Sequence, residues 1–122
     1  MLILGDVTFE RIALGRAVEE RAASWYQAHG YDVADRNWRC KEGEVDLIAV
    51  RRCDRLVVFC EVKARRSGRF GSAAEAVGRD KQARLRRLAG AWLAGHRSGA
   101  AGVRFDVAAW DAGRFEVVEG AF

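Results

Sequence analysis

The segment from Gly43 to Arg65 constrains this chain more than any other: Gly-Glu-Val-Asp-Leu-Ile-Ala-Val, a polar turn, then Leu-Val-Val-Phe-Cys-Glu-Val-Lys-Ala-Arg. Both arms are rich in β-branched and aromatic residues, and Arg51–Arg55 between them is polar, so the segment reads as a β-hairpin. Each arm carries charge where a buried strand should be apolar: Asp46 in the first, Glu61 and Lys63 in the second. Side chains alternate faces along a strand, so Glu61 and Lys63 share a face with Val57 and Phe59. A turn centred on Cys53-Asp54 places Asp46 directly opposite Glu61. Facing carboxylates repel, and a divalent cation held between them is the economical explanation.

The rest of the chain frames this hairpin. From Phe9 to His29 the apolar spacing is helical, with Ile12, Val18, Ala22, Trp25 and Tyr26 as the stripe and Arg16, Glu20, Ser24 and Gln27 on the wet face. Residues 1–8 show no period and read as a poorly specified lead-in. Glu20 follows Arg16 by one turn and is its expected surface partner. Glu19 lies inside the stripe, either reaching water at its margin or pointing toward the hairpin's charges. Gly30 suits a helix C-cap, and Tyr31 to Arg39 reads as the first strand.

After Lys63 comes a basic, glycine-flanked loop, Ala-Arg-Arg-Ser-Gly-Arg-Phe-Gly, whose Arg65, Arg66 and Arg69 suit a phosphate backbone. Ser72 and Glu75 form a capping box, so a second helix is expected from Ser72 to about His96. Val77, Leu85, Leu88 and Trp92 form its core stripe, and Arg79, Arg84, Arg86 and Arg87 cover much of the remainder. Lys81 falls on the stripe side, either snorkelling to water or turned toward an active site. Val103–Trp110 and Phe115–Glu119 alternate as two further strands. The order αβββαββ predicts an α/β domain spanning residues 1–122, a mixed central sheet flanked by helices.

No apolar run is long enough to cross a membrane, and the opening Met-Leu-Ile-Leu is too short for a signal peptide. Three cysteines without C-x-x-C spacing suggest reduced thiols and a cytoplasmic location rather than disulfides or a zinc site. The net charge of +4 is compatible with a polyanionic partner.

Hydrolysis of a phosphodiester needs a hard cation gripped by oxygen ligands, and a cation next to the phosphate to stabilise developing charge. Asp46 and Glu61 supply the ligands for Mg²⁺ or Mn²⁺, Lys63 the ammonium, and Glu19 a further acid. Spacing alone fits equally well a solvated face on which Lys63 neutralises Glu61 and Asp46.

These motifs also resemble a known family. Glu19 with Ala22, Gly30-Tyr31, Arg36-Asn37-Trp38-Arg39, Gly43–Ala49, Val58–Arg65, Phe70-Gly71, Glu75–Val77, Lys81 with Arg84-Leu85, Arg104–Val107 and Ala121-Phe122 look like the YraN-like family. That family is placed in the PD-(D/E)XK nuclease superfamily and is similar to archaeal Holliday-junction resolvases. The resemblance implies a restriction-endonuclease-like fold, with Asp46 and Glu61 as metal-binding acids, Lys63 as the superfamily's lysine and Glu19 as a helix-borne acid. Val18 departs from the glycine usual before that glutamate. The expected function is a Mg²⁺- or Mn²⁺-dependent endonuclease acting on DNA, on branched or single-stranded forms among others, with Arg65, Arg66, Arg69, Lys81, Arg84 and Arg86 contacting nucleic acid. The alternative is a nucleic-acid-binding module or complex subunit that keeps the fold without catalysis. A homodimer is an open option, and no membrane partner is expected.

Overall fold

A computed structural model describes residues 3–65, 77–97 and 99–122, with side chains from Phe9 onward. Arg66, Arg69 and the Ser72–Glu75 capping box lie outside the described residues. The elements are α1 (Ile3–Ala28), β1 (Tyr31–Cys40), β2 (Gly43–Arg51), β3 (Leu56–Arg65), α2 (Arg79–Gly95), β4 (Gly102–Asp111) and β5 (Arg114–Val118). Strands lie side by side in chain order. The β1–β2, β2–β3 and β4–β5 pairs are antiparallel, while β3 and β4 run parallel across the α2 connection. Among the described residues the result is a mixed five-stranded sheet with two helices.

The core explains why β2 and β3 are nearly continuous apolar runs rather than alternating ones. Val58, Cys60, Leu47 and Ala49 pack with Ala22, Ala23 and Tyr26 of α1. Val57, Phe59, Ile48 and Val50 pack with Leu85, Leu88, Ala89 and Trp92 of α2. Both faces of the central strands are therefore covered, as continuous apolar strands require. Phe59 is fully buried, contributing about 1.5–3 kcal/mol, and meets Trp92 edge-on at a centroid distance of 5.8 Å.

A second buried feature ties the layers together. Asp106 of β4 is fully buried and accepts hydrogen bonds from the Tyr26 hydroxyl (2.5 Å), Arg104 Nε (2.8 Å) and the Gly120 N–H (3.0 Å). Arg104 Nη2 also donates to the Tyr31 hydroxyl at 2.9 Å. Burial, above all, pushes the Tyr26 phenol well above its ordinary range and keeps it a donor. This network pins helix, strand and C-terminal turn with its polar groups satisfied.

Five sequence expectations are corrected. The first helix begins by Ile3, not Phe9, and Ile12 is 50% exposed rather than part of a buried stripe. Glu20 pairs with Arg36 at 2.8 Å, a tertiary partner that local spacing could not reveal, rather than with Arg16. The second helix starts at Arg79, with Gly78 as an N-cap that has no side-chain cap bond. Val77 precedes it in non-helical backbone yet is buried, so it reaches the core from outside the helix. Gly30 follows α1 with φ +91°, a value that favours glycine. The three cysteines are free thiols: Cys40 part-buried, Cys53 exposed and Cys60 buried. Among the described residues no helix is long and apolar enough to cross a membrane.

Candidate active site

The β2–β3 ladder runs from Val50↔Val57 to Leu47↔Cys60, the register expected from a turn centred on Cys53-Asp54. The next position is Asp46, and there the ladder ends. Instead of a main-chain pair, the Val62 N–H donates to Asp46 Oδ2 at 2.8 Å. A carboxylate has taken the place of a backbone carbonyl, so β2 and β3 fork at this point.

The fork coincides with a slip in side-chain alternation. Val45 and Ile48 both pack on the α2 side, while Leu47 packs on the α1 side. Neighbours three apart cannot share a face in a regular strand, so one residue between them is displaced. On the adjoining strand, β1 pairs Arg36 with Leu47 and Trp38 with Val45, which leaves Asn37 beside Asp46. Asn37 has φ +50°, the left-handed conformation that Asn tolerates better than most residues. Asp46 is thus carried into the gap between strands, within reach of both faces.

Glu61 meets Asp46 in that gap. Its side chain is 5% exposed, and Lys63 Nζ lies 3.4 Å from its Oε2. A second ammonium, that of Lys81 from α2, makes a closer contact with the same oxygen. Burial, and next the charge of Glu61, push the Asp46 carboxyl up to about 7 despite the opposing Val62 N–H. The two acids stand within hydrogen-bonding reach, and Glu19 adds a smaller push in the same direction. Burial and the neighbouring Lys81 outweigh Glu61 and lower Lys63. At Lys81 the balance is opposite: burial lowers it, but the contacts with Glu61 prevail and raise it.

On the α1 side, Asp46 opens into a cleft of about 270 Å³ lined by Arg16, Glu19, Glu20, Arg36, Asn37 and Leu47. With its amide nitrogen facing the neighbouring carboxylates, Asn37 donates to Glu44 Oε1 at 2.9 Å and to Glu19 Oε2 at 3.2 Å. Glu19 therefore faces the cleft, not open water. It is not close enough to complete a three-acid set: among the described residues no group of three or more His, Cys, Asp or Glu side chains could hold one ion. Asp46 lines that cleft, whereas Glu61 is nearly buried and does not; as donors the two hard carboxylates nevertheless suit Mg²⁺ or Mn²⁺, since Mg²⁺ commonly binds one or two carboxylates and keeps several waters.

The basic residues are less convergent than their spacing suggested. Lys81 turns into the acid pair rather than outward. Arg84 is exposed and its stem runs beside Gly43. The Arg86 guanidinium sits over Phe105 and Phe122, at 5.5 and 5.4 Å from the ring centres. Arg65 closes β3. Sequence reasoning passed over Asn37, Arg16 and Arg36 as site residues. An asparagine among strand residues was the available signal for Asn37, because Asn accepts left-handed backbone.

The profile of the uncharacterised protein family UPF0102 matches residues 18–110, a span that includes Glu19, Asp46, Glu61, Lys63 and Lys81. A UPF0102 protein of Frankia alni is 56% identical over 95 residues, 78% of each chain. Those of Beutenbergia cavernae and Mycobacterium marinum are 52% and 47% identical, over 80% and 82% of each chain respectively. Matches of this extent make the chain a member of the UPF0102, or YraN-like, family.

Proposed function

We propose that this chain is a divalent-metal-dependent phosphodiesterase of the PD-(D/E)XK type with a restriction-endonuclease-like fold, acting on DNA. The observation that carries this reading is the fork itself: Asp46 and Glu61 held together where the ladder stops, with Asp46 raised to about 7 and Lys63 3.4 Å from Glu61. Displacing a carboxylate from a paired strand into a gap, against another carboxylate, has no folding benefit. Perturbed acids in a cleft are what a catalytic site needs.

A bound Mg²⁺ or Mn²⁺ ion would supply charge neutralisation at the phosphate and a more acidic attacking water. Asp46 and Glu61 would hold that ion, and the cleft beside Asp46 leaves room for waters. Lys63 stands where an ammonium can stabilise charge developing on a phosphoryl oxygen. Glu19, which accepts from Asn37, would orient a water in the cleft. The net charge of +4 supports binding to a polyanion.

The test is a cleavage assay on linear, flapped and four-way DNA with Mg²⁺ or Mn²⁺, comparing wild type with Glu61→Gln and Asp46→Ala. Cleavage by wild type alone, with DNA binding retained in both variants, is expected. If wild type binds these DNAs but cuts none, the protein is a non-catalytic binding module instead.

A further inference from the structure

Glu61 is nearly buried, yet it faces two ammonium groups from different elements. Lys63 comes from its own strand and stands 3.4 Å away. Lys81 comes from the first turn of α2 and is the nearer of the two. The helix gives Lys81 no support, because a cation at a helix N-terminus opposes the macrodipole. Glu61 is the one acid with which Lys81 is paired among the described residues. The Lys81 side chain is 38% exposed, against 25% for Lys63, so it has a route to solvent along its flexible four-carbon stem.

The charges at the fork bear on how a cation could enter. Two bare carboxylates would offer −2, but two ammoniums bring the sum to about zero when both acids are ionised, with Coulomb attraction for a free cation correspondingly weak. A divalent ion that takes Glu61 Oε2 would compete for that oxygen with the two ammoniums already on it. Of the two, Lys81 has the more exposed side chain and comes from a different element than Glu61, so it is the one with the easier route to solvent.

We propose that Lys81 is a displaceable counter-ion. It occupies Glu61 in the metal-free protein, leaves when a divalent cation takes that carboxylate, and then binds a phosphate of the nucleic-acid backbone. This inference rests on the metal-site reading above and adds a consequence to it. Metal and nucleic acid each favour the released position of Lys81, so each strengthens the binding of the other. Such coupling is reciprocal. The protein would hold little metal until a phosphodiester arrives, which restricts hydrolysis to the occupied state.

The experiment is a Mn²⁺ titration of the full chain, alone and with a short phosphorothioate-backbone DNA duplex that resists cleavage. Wild type is expected to bind Mn²⁺ about tenfold more tightly with the duplex than without it, within the usual span of coupling between sites. Lys81→Met keeps the apolar stem and removes the charge. It should bind Mn²⁺ alone about tenfold more tightly than wild type, with most of the duplex effect gone. Lys81→Arg keeps the charge and should retain weak Mn²⁺ binding.

If Lys81→Met binds Mn²⁺ no more tightly than wild type, while Glu61→Gln abolishes binding, Lys81 is a fixed structural partner and the counter-ion role is overturned. The wild-type comparison needs no variant: Mn²⁺ affinity indifferent to the duplex overturns the role even if Lys81→Met fails to fold. Failure of the underlying site looks different. Mn²⁺ binding that survives both Glu61→Gln and Asp46→Asn would show that the fork is not the metal site, and the counter-ion role would fall with it.

Discussion

Replacing Asp46 by Asn should make the metal-free protein more stable, because Asn reproduces the shape of a protonated Asp46 without its charge. Asn Oδ1 can still accept the Val62 N–H, and its amide can donate to Glu61. Asp46 rises from an ordinary value of 3.8 to about 7, which caps the destabilisation at about 4 kcal/mol when each pH unit is worth ~1.4 kcal/mol. Asp46 keeps one side open to the cleft, so solvent relieves part of this, and about 2 kcal/mol is the expected gain at pH 8. In a domain of 122 residues that raises Tm by roughly 8 °C. The pH dependence carries the sign. Between pH 7 and 4 the folded protein binds the Asp46 proton while the unfolded chain still releases it, so wild type recovers stability as pH falls. The advantage of Asp46→Asn should therefore be largest above pH 7 and nearly gone by pH 4. Millimolar Mg²⁺ should raise the Tm of wild type but not of the variant, because a ligand stabilises only the state that binds it. Melting curves at pH 5 and 8, with and without Mg²⁺, decide the matter. A lower Tm for Asp46→Asn at pH 8, or a gap that does not change with pH, would mean that Asp46 is a structural salt-bridge partner.

Other expectations follow from the same geometry. Asp106→Ala removes the acceptor of the buried Tyr26 hydroxyl and one of the two carboxylates that hold Arg104, the other being Glu119, and should cost about 2–3 kcal/mol by chemical denaturation; a loss under 1 kcal/mol would show that the network is dispensable. Gly30→Ala places a side chain at φ +91° and should cost about 1 kcal/mol, read as a lower denaturation midpoint. DNA affinity should fall by orders of magnitude between low and physiological salt with little sequence preference; salt-independent binding would argue against backbone recognition.

Much of the scaffold was legible because it depends on local pattern. The hairpin register followed from an even, polar turn between apolar arms, and Leu47↔Cys60 lies where that turn requires. Gly30, with φ +91°, closes α1 as a glycine cap should. What local pattern could not show is where alternation breaks. The slip at Asp46 depends on the neighbouring strand, where Asn37 turns left-handed, and no period in β2 announces it. Lys81 stood out as a cation on an apolar stripe, but its partner lies on another element, 20 residues back in the chain. The same limit explains Glu20, whose nearest sequence candidate was Arg16 and whose actual partner is Arg36. Nothing in the local pattern of β4 marks Asp106 as a buried hub, because its partner Tyr26 is 80 residues away. Ile12 fitted the helical period but is half exposed, because period alone does not say how far along a helix its packing partner reaches.

The central claim is that Asp46 and Glu61 form one divalent-cation site. Diffraction from crystals grown with Mn²⁺, measured at the manganese absorption edge, tests it most directly. The account predicts an anomalous peak between the two carboxylates, at Mn–O distances of about 2.2 Å for a hard cation on oxygen ligands, with the Lys81 ammonium moved off Glu61. Crystals at millimolar Mn²⁺ that show no peak there, with Lys81 and Lys63 still on Glu61, would contradict it.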